Sequence, residues 1–244
     1  MSNPLEQFKI INLLPLKVDG IDLSFTNASL SLSLSALCAI VYMLLATRGQ
    51  SVIPGRLQSS IEVMYMQIES TLQGVVGNNH AKYMPFIFSV FIFVLMCNLL
   101  GMLPYSFSAT SHIAVTFAMA AIVFVTINII GFWNHGVRYF SVLLPGGIPI
   151  AMVPLMFLIE LCAYLSRPFS LSLRLAANMV AGHIMIKILA MFIIMSGAAS
   201  LFLSAAPFVL LTIIIGFEIF IALLQAYIFT ILACVYLSDA VNLH

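Results

Sequence analysis

Apolar runs of membrane length recur five times along this chain, and no other feature limits its fold as strongly. Asn27 to Ala46 is about 20 residues, enough for one crossing of a hydrocarbon core about 30 Å thick. Met84 to Met102 and Ile113 to Phe132 are similar, and two longer runs follow, Ile148 to Met195 and Ala205 to Leu237. With 63% of its 244 residues hydrophobic and 7% charged, the chain cannot clothe a soluble surface in charge. Strict period-two alternation is absent, which favours helices over barrel strands. The expected fold class is an all-α integral membrane protein with about five membrane helices.

The segments between these runs refine the expectation. Residues 1–25 are a mixed lead-in with Pro4, Pro15 and Gly20, without a basic region, short apolar core and cleavage site, so insertion without a removable leader is expected. Residues 47–83 carry Arg48, Arg56, Glu62, Glu69 and Lys82, and within them Ile61, Met64, Ile68 and Leu72 form one apolar face. That pattern predicts an amphipathic helix from Ile61 to Val76, lying on the membrane surface or packed on a partner. Residues 84–132 then read as a helical hairpin. Arg48, Arg56, Lys82 and Arg138 all fall on one side by this count, which predicts the N-terminus outside and the C-terminus inside.

Residues 148–237 read as a second, longer hairpin, interrupted near SGAASLFLS. As helices, Leu155 to Met195 would run roughly 60 Å and the last segment roughly 50 Å, against a core about 30 Å thick. Upright helices would overshoot with apolar ends, so steep tilt is expected, with Pro154 and Pro168 as sites of bending. The whole reads as a single membrane domain. A net charge of +1 offers no field for nucleic acid. Cys38, Cys97, Cys162 and Cys234 stand singly in apolar runs, without metal-ligand spacing, and read as free buried thiols. No cofactor or metal is expected.

The chemistry lies in SRPFSLSLRLAANMVAGHIMIK, Ser166 to Lys187. An ionisable side chain within a membrane helix points to function, and arginine cannot escape the cost by losing its proton. Glu160, Arg167 and Arg174 are spaced by seven and Asn178 follows by four, which puts them on one helical stripe. His183 falls on the opposite face, near Lys187. Glu218 and Gln225, also seven apart, share a face of the last helix. His183 and Glu218 pair a base near neutrality with a carboxylate, and Glu160 sits on the Arg174 side. Two titratable patches with a fixed positive charge between them suggest an interrupted proton path. An intrachain pair of Arg174 with Glu160 or Glu218, a packing role for His183, and a helix–helix hydrogen bond for Glu218 are the structural alternatives. Arg167 and Lys187 read equally as snorkelling residues, Asn178 and Gln225 as braces for Arg174, His112 as interfacial and Asp239 as solvated.

SLSLRLAANMVAGH, followed downstream by FEIFIALLQAYIFTILACVYL, closely resembles subunit a of the rotary proton-translocating ATP synthase. The likeness extends from NPLEQF through FIFVLMCNLLGMLPYSF to the end, and His after AG with Glu before QAY resembles the alphaproteobacterial and mitochondrial form. The resemblance implies that Arg174 is the family's essential arginine, facing the carboxylate of a rotating c-subunit ring. It implies that Glu160, Asn178, His183, Glu218 and Gln225 belong to two offset proton half-channels. It further implies that the long hairpin follows the ring wall, that peripheral stalk b subunits are partners, and that the setting is a bacterial inner membrane or its mitochondrial counterpart. No covalent chemistry is expected in this chain. A secondary transporter would show internal repeats and paired broken helices, and none is visible.

Overall fold

The computed structural model describes residues 11–242 apart from 16, 19–20, 23, 49–53, 78–79, 104–106, 137, 140–151 and 198–200. Two short antiparallel pairs come first. Strand β1 (Asn12–Leu14) pairs with β4 (Phe25–Thr26), and β2 (Lys17–Val18) pairs with β3 (Ile21–Asp22). Six helices follow: α1 (Asn27–Thr47), α2 (Arg56–Val76), α3 (His80–Gly101), α4 (Ile113–His135), α5 (Val153–Gly197) and α6 (Leu201–Val241). All but α2 are long and apolar enough to cross a membrane. The all-α membrane class expected from the sequence is thus the observed one, with the small strand pairs as an addition inside the lead-in.

Helix α1 shows why polar residues are tolerated in such spans. Ser29 to Ser35 alternates serine with leucine, so the expectation that period-two alternation is absent fails there, yet the segment is helical. Its hydroxyls turn back onto the helix: Ser33 donates to the Ser29 carbonyl at 2.7 Å and Ser35 to the Ser31 carbonyl at 2.8 Å. A serine satisfied in this way presents little unmet polarity to lipid, which removes the penalty that would otherwise set the pattern. Ser31 instead donates to the Phe107 carbonyl at 2.9 Å, tying α1 to the segment before α4.

The two last helices run 45 and 41 residues, roughly twice what a perpendicular crossing needs. Pro168 lies inside α5, where it removes the bond that would reach the Tyr164 carbonyl, and Pro207 lies inside α6. Neither ends its helix. Helix α2 begins at Arg56, five residues before the amphipathic segment was expected, and ends at Gly77, whose φ of +81° stops it. The Pro/Gly break PGGIP, residues 145–149, lies outside the described residues.

Contacts divide the chain into two compact units. One comprises Met1–Ala39, Phe93–Thr116 and Arg174–Ala226, and its core includes Leu175, Ala176, Met179, Ala222 and Ala226. The other comprises Ile40–Ile92, Phe117–Leu173 and Tyr227–His244, with Ile68, Leu72, Ile87, Ile127, Phe229 and Leu237 buried at its centre. Each therefore contains one portion of α1, α3, α4, α5 and α6.

Candidate functional site

In the unit that contains Arg174, α5 presents two different faces. Arg174 and Asn178, one turn apart, are exposed, whereas Leu175, Ala176 and Met179 are buried. The ion pairs among the described residues are Arg167–Asp239 and the longer His80–Glu69 contact. Arg174 belongs to neither and makes no side-chain hydrogen bond among the described residues. The intrachain carboxylate partner considered from the sequence is not found. A guanidinium on a membrane-spanning helix keeps its charge, and no carboxylate among the described residues pairs with this one.

Asn178 does not brace that guanidinium. Its Nδ2 donates to Gln225 Oε1 at 2.8 Å, linking α5 to α6. Gln225 is 3% exposed, and its Nε2 meets no partner among the described residues. Just under one turn back on α6, Ala222 accepts a hydrogen bond from Asn98 Nδ2 at 3.3 Å, and Asn98 Oδ1 is likewise unpartnered among the described residues. Buried polar atoms without protein partners are rare, and the usual resolution is ordered water. Asn98, Gln225 and the neighbouring Glu218 Oε1 carry such atoms, so this unit has the polarity that a hydrated path needs.

Glu218 and His183 are both buried, each 8% exposed. The contact that sets them is made by a glycine. A Cβ placed on Gly182 would fall on the Glu218 carboxylate, 2.7 Å from its Cδ. Only the absence of a side chain lets α6 bring its carboxyl against α5 next to His183. The His183 imidazole is hydrogen-bonded to the backbone of Gly101, at the end of α3. Gly101 in turn packs against Ser108, whose Oγ lies 3.0 Å from where a Cβ would stand. Ser108, Thr110 and Ser111 are buried there, with Ser111 Oγ donating to the Ser108 carbonyl at 2.6 Å. His112, expected at an interface, stacks on Phe107 with ring centroids 5.1 Å apart.

The other unit holds Glu160, half-buried on α5, with no side-chain hydrogen bond or ion pair among the described residues. Arg167 differs from Arg174 in being fully engaged. Its Nη1 lies 2.9 Å from Asp239 Oδ2, and its guanidinium covers the rings of Tyr164 and Tyr236 at 5.1 and 5.0 Å. Asp239, read from sequence as merely solvated, is instead the counter-ion of this arginine. The error has a plain cause, since 72 residues separate the partners and no helical spacing relates them. Beneath Arg167, the Tyr164 hydroxyl meets Asn128 Oδ1 and the Tyr139 hydroxyl, the latter at 2.9 Å. Asn128 and Tyr139 were also missed, although an asparagine inside VTINII was a visible signal. Burial, reinforced by the hydrogen bond to Tyr164, pushes the Tyr139 phenol well above its ordinary value, so it keeps its proton.

No group of three or more histidine, cysteine, aspartate or glutamate side chains able to hold a metal occurs among the described residues. The side chains suit proton exchange and charge pairing. Against known proteins, the family model described as ATP synthase A chain matches residues 29–238.

Proposed function

The chain belongs to the ATP synthase A chain family, that of subunit a, and from that premise we propose that Arg174 is the fixed charge separating two proton half-channels. Subunit a is a multi-pass, proton-translocating stator subunit that works with the c-ring of ATP synthase. The observation that carries the finer reading is Arg174, exposed on α5 and without a counter-ion among the described residues.

A ring carboxylate facing lipid stays protonated because a bare charge there is costly. On meeting Arg174 its charged form is stabilised, and the proton leaves. Glu160 accepts protons toward the inner side. His183 and Glu218, the latter seated against Gly182, deliver them from the outer side, with Asn178 and Gln225 between the two helices. The unprotonated site cannot return to lipid, so the ring turns one way. Each charge crossing the membrane releases about 2.3 kcal/mol per 100 mV. The planar guanidinium suits the task because it holds its proton and can pass between successive carboxylates.

The long pair α5 and α6 runs tilted along the ring, and the peripheral stalk b subunits hold the chain still. Arg48, Arg56, Lys82 and Arg138 near the helix ends support the C-terminus inside, in a bacterial inner membrane.

The test compares vesicles bearing the intact complex with those bearing Arg174→Ala. ATP-driven proton pumping is expected to disappear and a passive leak to appear, abolished by blocking the ring carboxylate. Normal pumping in Arg174→Ala would overturn this assignment.

A further inference from the structure

Arg167 stands seven residues before Arg174 on the same helix and seven after Glu160, so a second permanent charge borders the inner half-path. Left mobile, it would repel protons leaving through Glu160 or capture the Glu160 carboxylate itself. The structure shows how it is held. Asp239 takes one edge of the guanidinium at 2.9 Å, and Tyr164 and Tyr236 lie against its faces. Each contact of a planar cation with an aromatic face adds to the hold, more so where water is scarce.

The Tyr164 ring is itself fixed from below. Asn128 Nδ2 donates to the Phe124 carbonyl at 2.8 Å, which turns Oδ1 toward the two phenols. Tyr139 donates to that oxygen at 3.2 Å, and Tyr164 donates to the same atom. Tyr139 reaches this position from the segment after α4 because Gly131 leaves room for its ring, where any Cβ would collide. The ring of Phe132 flanks it at 4.9 Å. Because the Tyr139 phenol keeps its proton, this group does not switch with pH over the working range.

We propose that Asn128, Tyr139 and Tyr164 form a clamp that positions Arg167 on Asp239 and so keeps the second arginine out of the inner proton path. These are positioning residues. The proposal rests on the assignment of Glu160 to that path.

Two measurements on the intact complex in vesicles decide it. The first is the rate at which phenylglyoxal modifies Arg167, followed by mass spectrometry. Tyr139→Phe, which keeps the ring against Gly131, is expected to raise that rate roughly fivefold, the effect of one lost hydrogen bond, and Asn128→Leu, which removes the acceptor for both phenols, to raise it further. The second is ATP-driven pumping, expected to fall in both variants and to recover when Arg167→Gln is added. A purely structural defect would not be cured by removing a charge. Unchanged labelling overturns the clamp. Pumping that fails to recover with Arg167→Gln overturns its action through Arg167. Normal pumping in Glu160→Gln would instead remove the inner path on which the proposal rests, while the labelling result still reports on the clamp by itself.

Discussion

At the scale of single residues, the informative contrast is between two glycines. Gly182 has the Glu218 carboxyl where a side chain would go, whereas Gly216 has nothing within 4 Å. Gly182→Ala is therefore expected to displace the Glu218 carboxylate, the flexible end of its side chain, at a cost of about 1 kcal/mol, and proton pumping should fall about tenfold or more. Gly216→Ala should pump normally and serves as the control. Equal pumping rates for the two variants would show that Glu218 need not sit where it does. The sequence made the residue types at this site legible, because an arginine, a histidine and two acids inside apolar runs are hard to overlook. It did not make their pairing legible. The Asn178–Gln225 bond and the Gly182–Glu218 contact join positions 47 and 36 residues apart, and helical periodicity speaks only within one helix.

Among the elements, α2 is the one whose placement the sequence left open between membrane surface and protein partner. Its buried face, Ile68, Leu72 and Val76, contains two of the positions that periodicity picked. Polar contacts from α6 and the residue after it add to that apolar face. Tyr227 Oη lies 3.1 Å from Gln67 Nε2 and 3.2 Å from Thr71 Oγ1. Ser238 Oγ donates to the Val75 carbonyl at 2.8 Å and Asn242 Nδ2 to the Val76 carbonyl at 3.3 Å, capping the helix end. Tyr227→Phe removes the first pair of contacts at a cost of about 1 kcal/mol, so amide exchange along α2 is expected to quicken about fivefold. Pumping should be unaffected. Protected α2 amides in that variant would mean the apolar face alone carries the attachment. Helix boundaries were less legible than helix existence: the apolar runs begin at Met84 and Ala205, whereas α3 and α6 begin at His80 and Leu201. Pro85 and Pro207 are the sixth and seventh residues of these helices, past the first turn, so each removes one bond to the carbonyl four residues back without ending its helix.

For the molecule as a whole, composition was enough for the class and the five spans, because lipid admits few solutions to the backbone hydrogen-bond problem. The small strand pairs of the lead-in were not legible, since two-residue strands leave no periodic trace. The bare guanidinium of Arg174 also has a consequence outside energy conversion. A subunit made without its ring would carry an uncompensated cation in the bilayer, costing about 2.5–3.5 kcal/mol or more depending on its depth. Newly made chains should then be short-lived until a ring is present. In a pulse-chase experiment without the ring, the wild-type chain is expected to decay faster than Arg174→Leu; equal decay would mean that the charge is sheltered in some other way. The side chain proposed to meet the rotor would then also report, during biogenesis, whether a rotor has arrived.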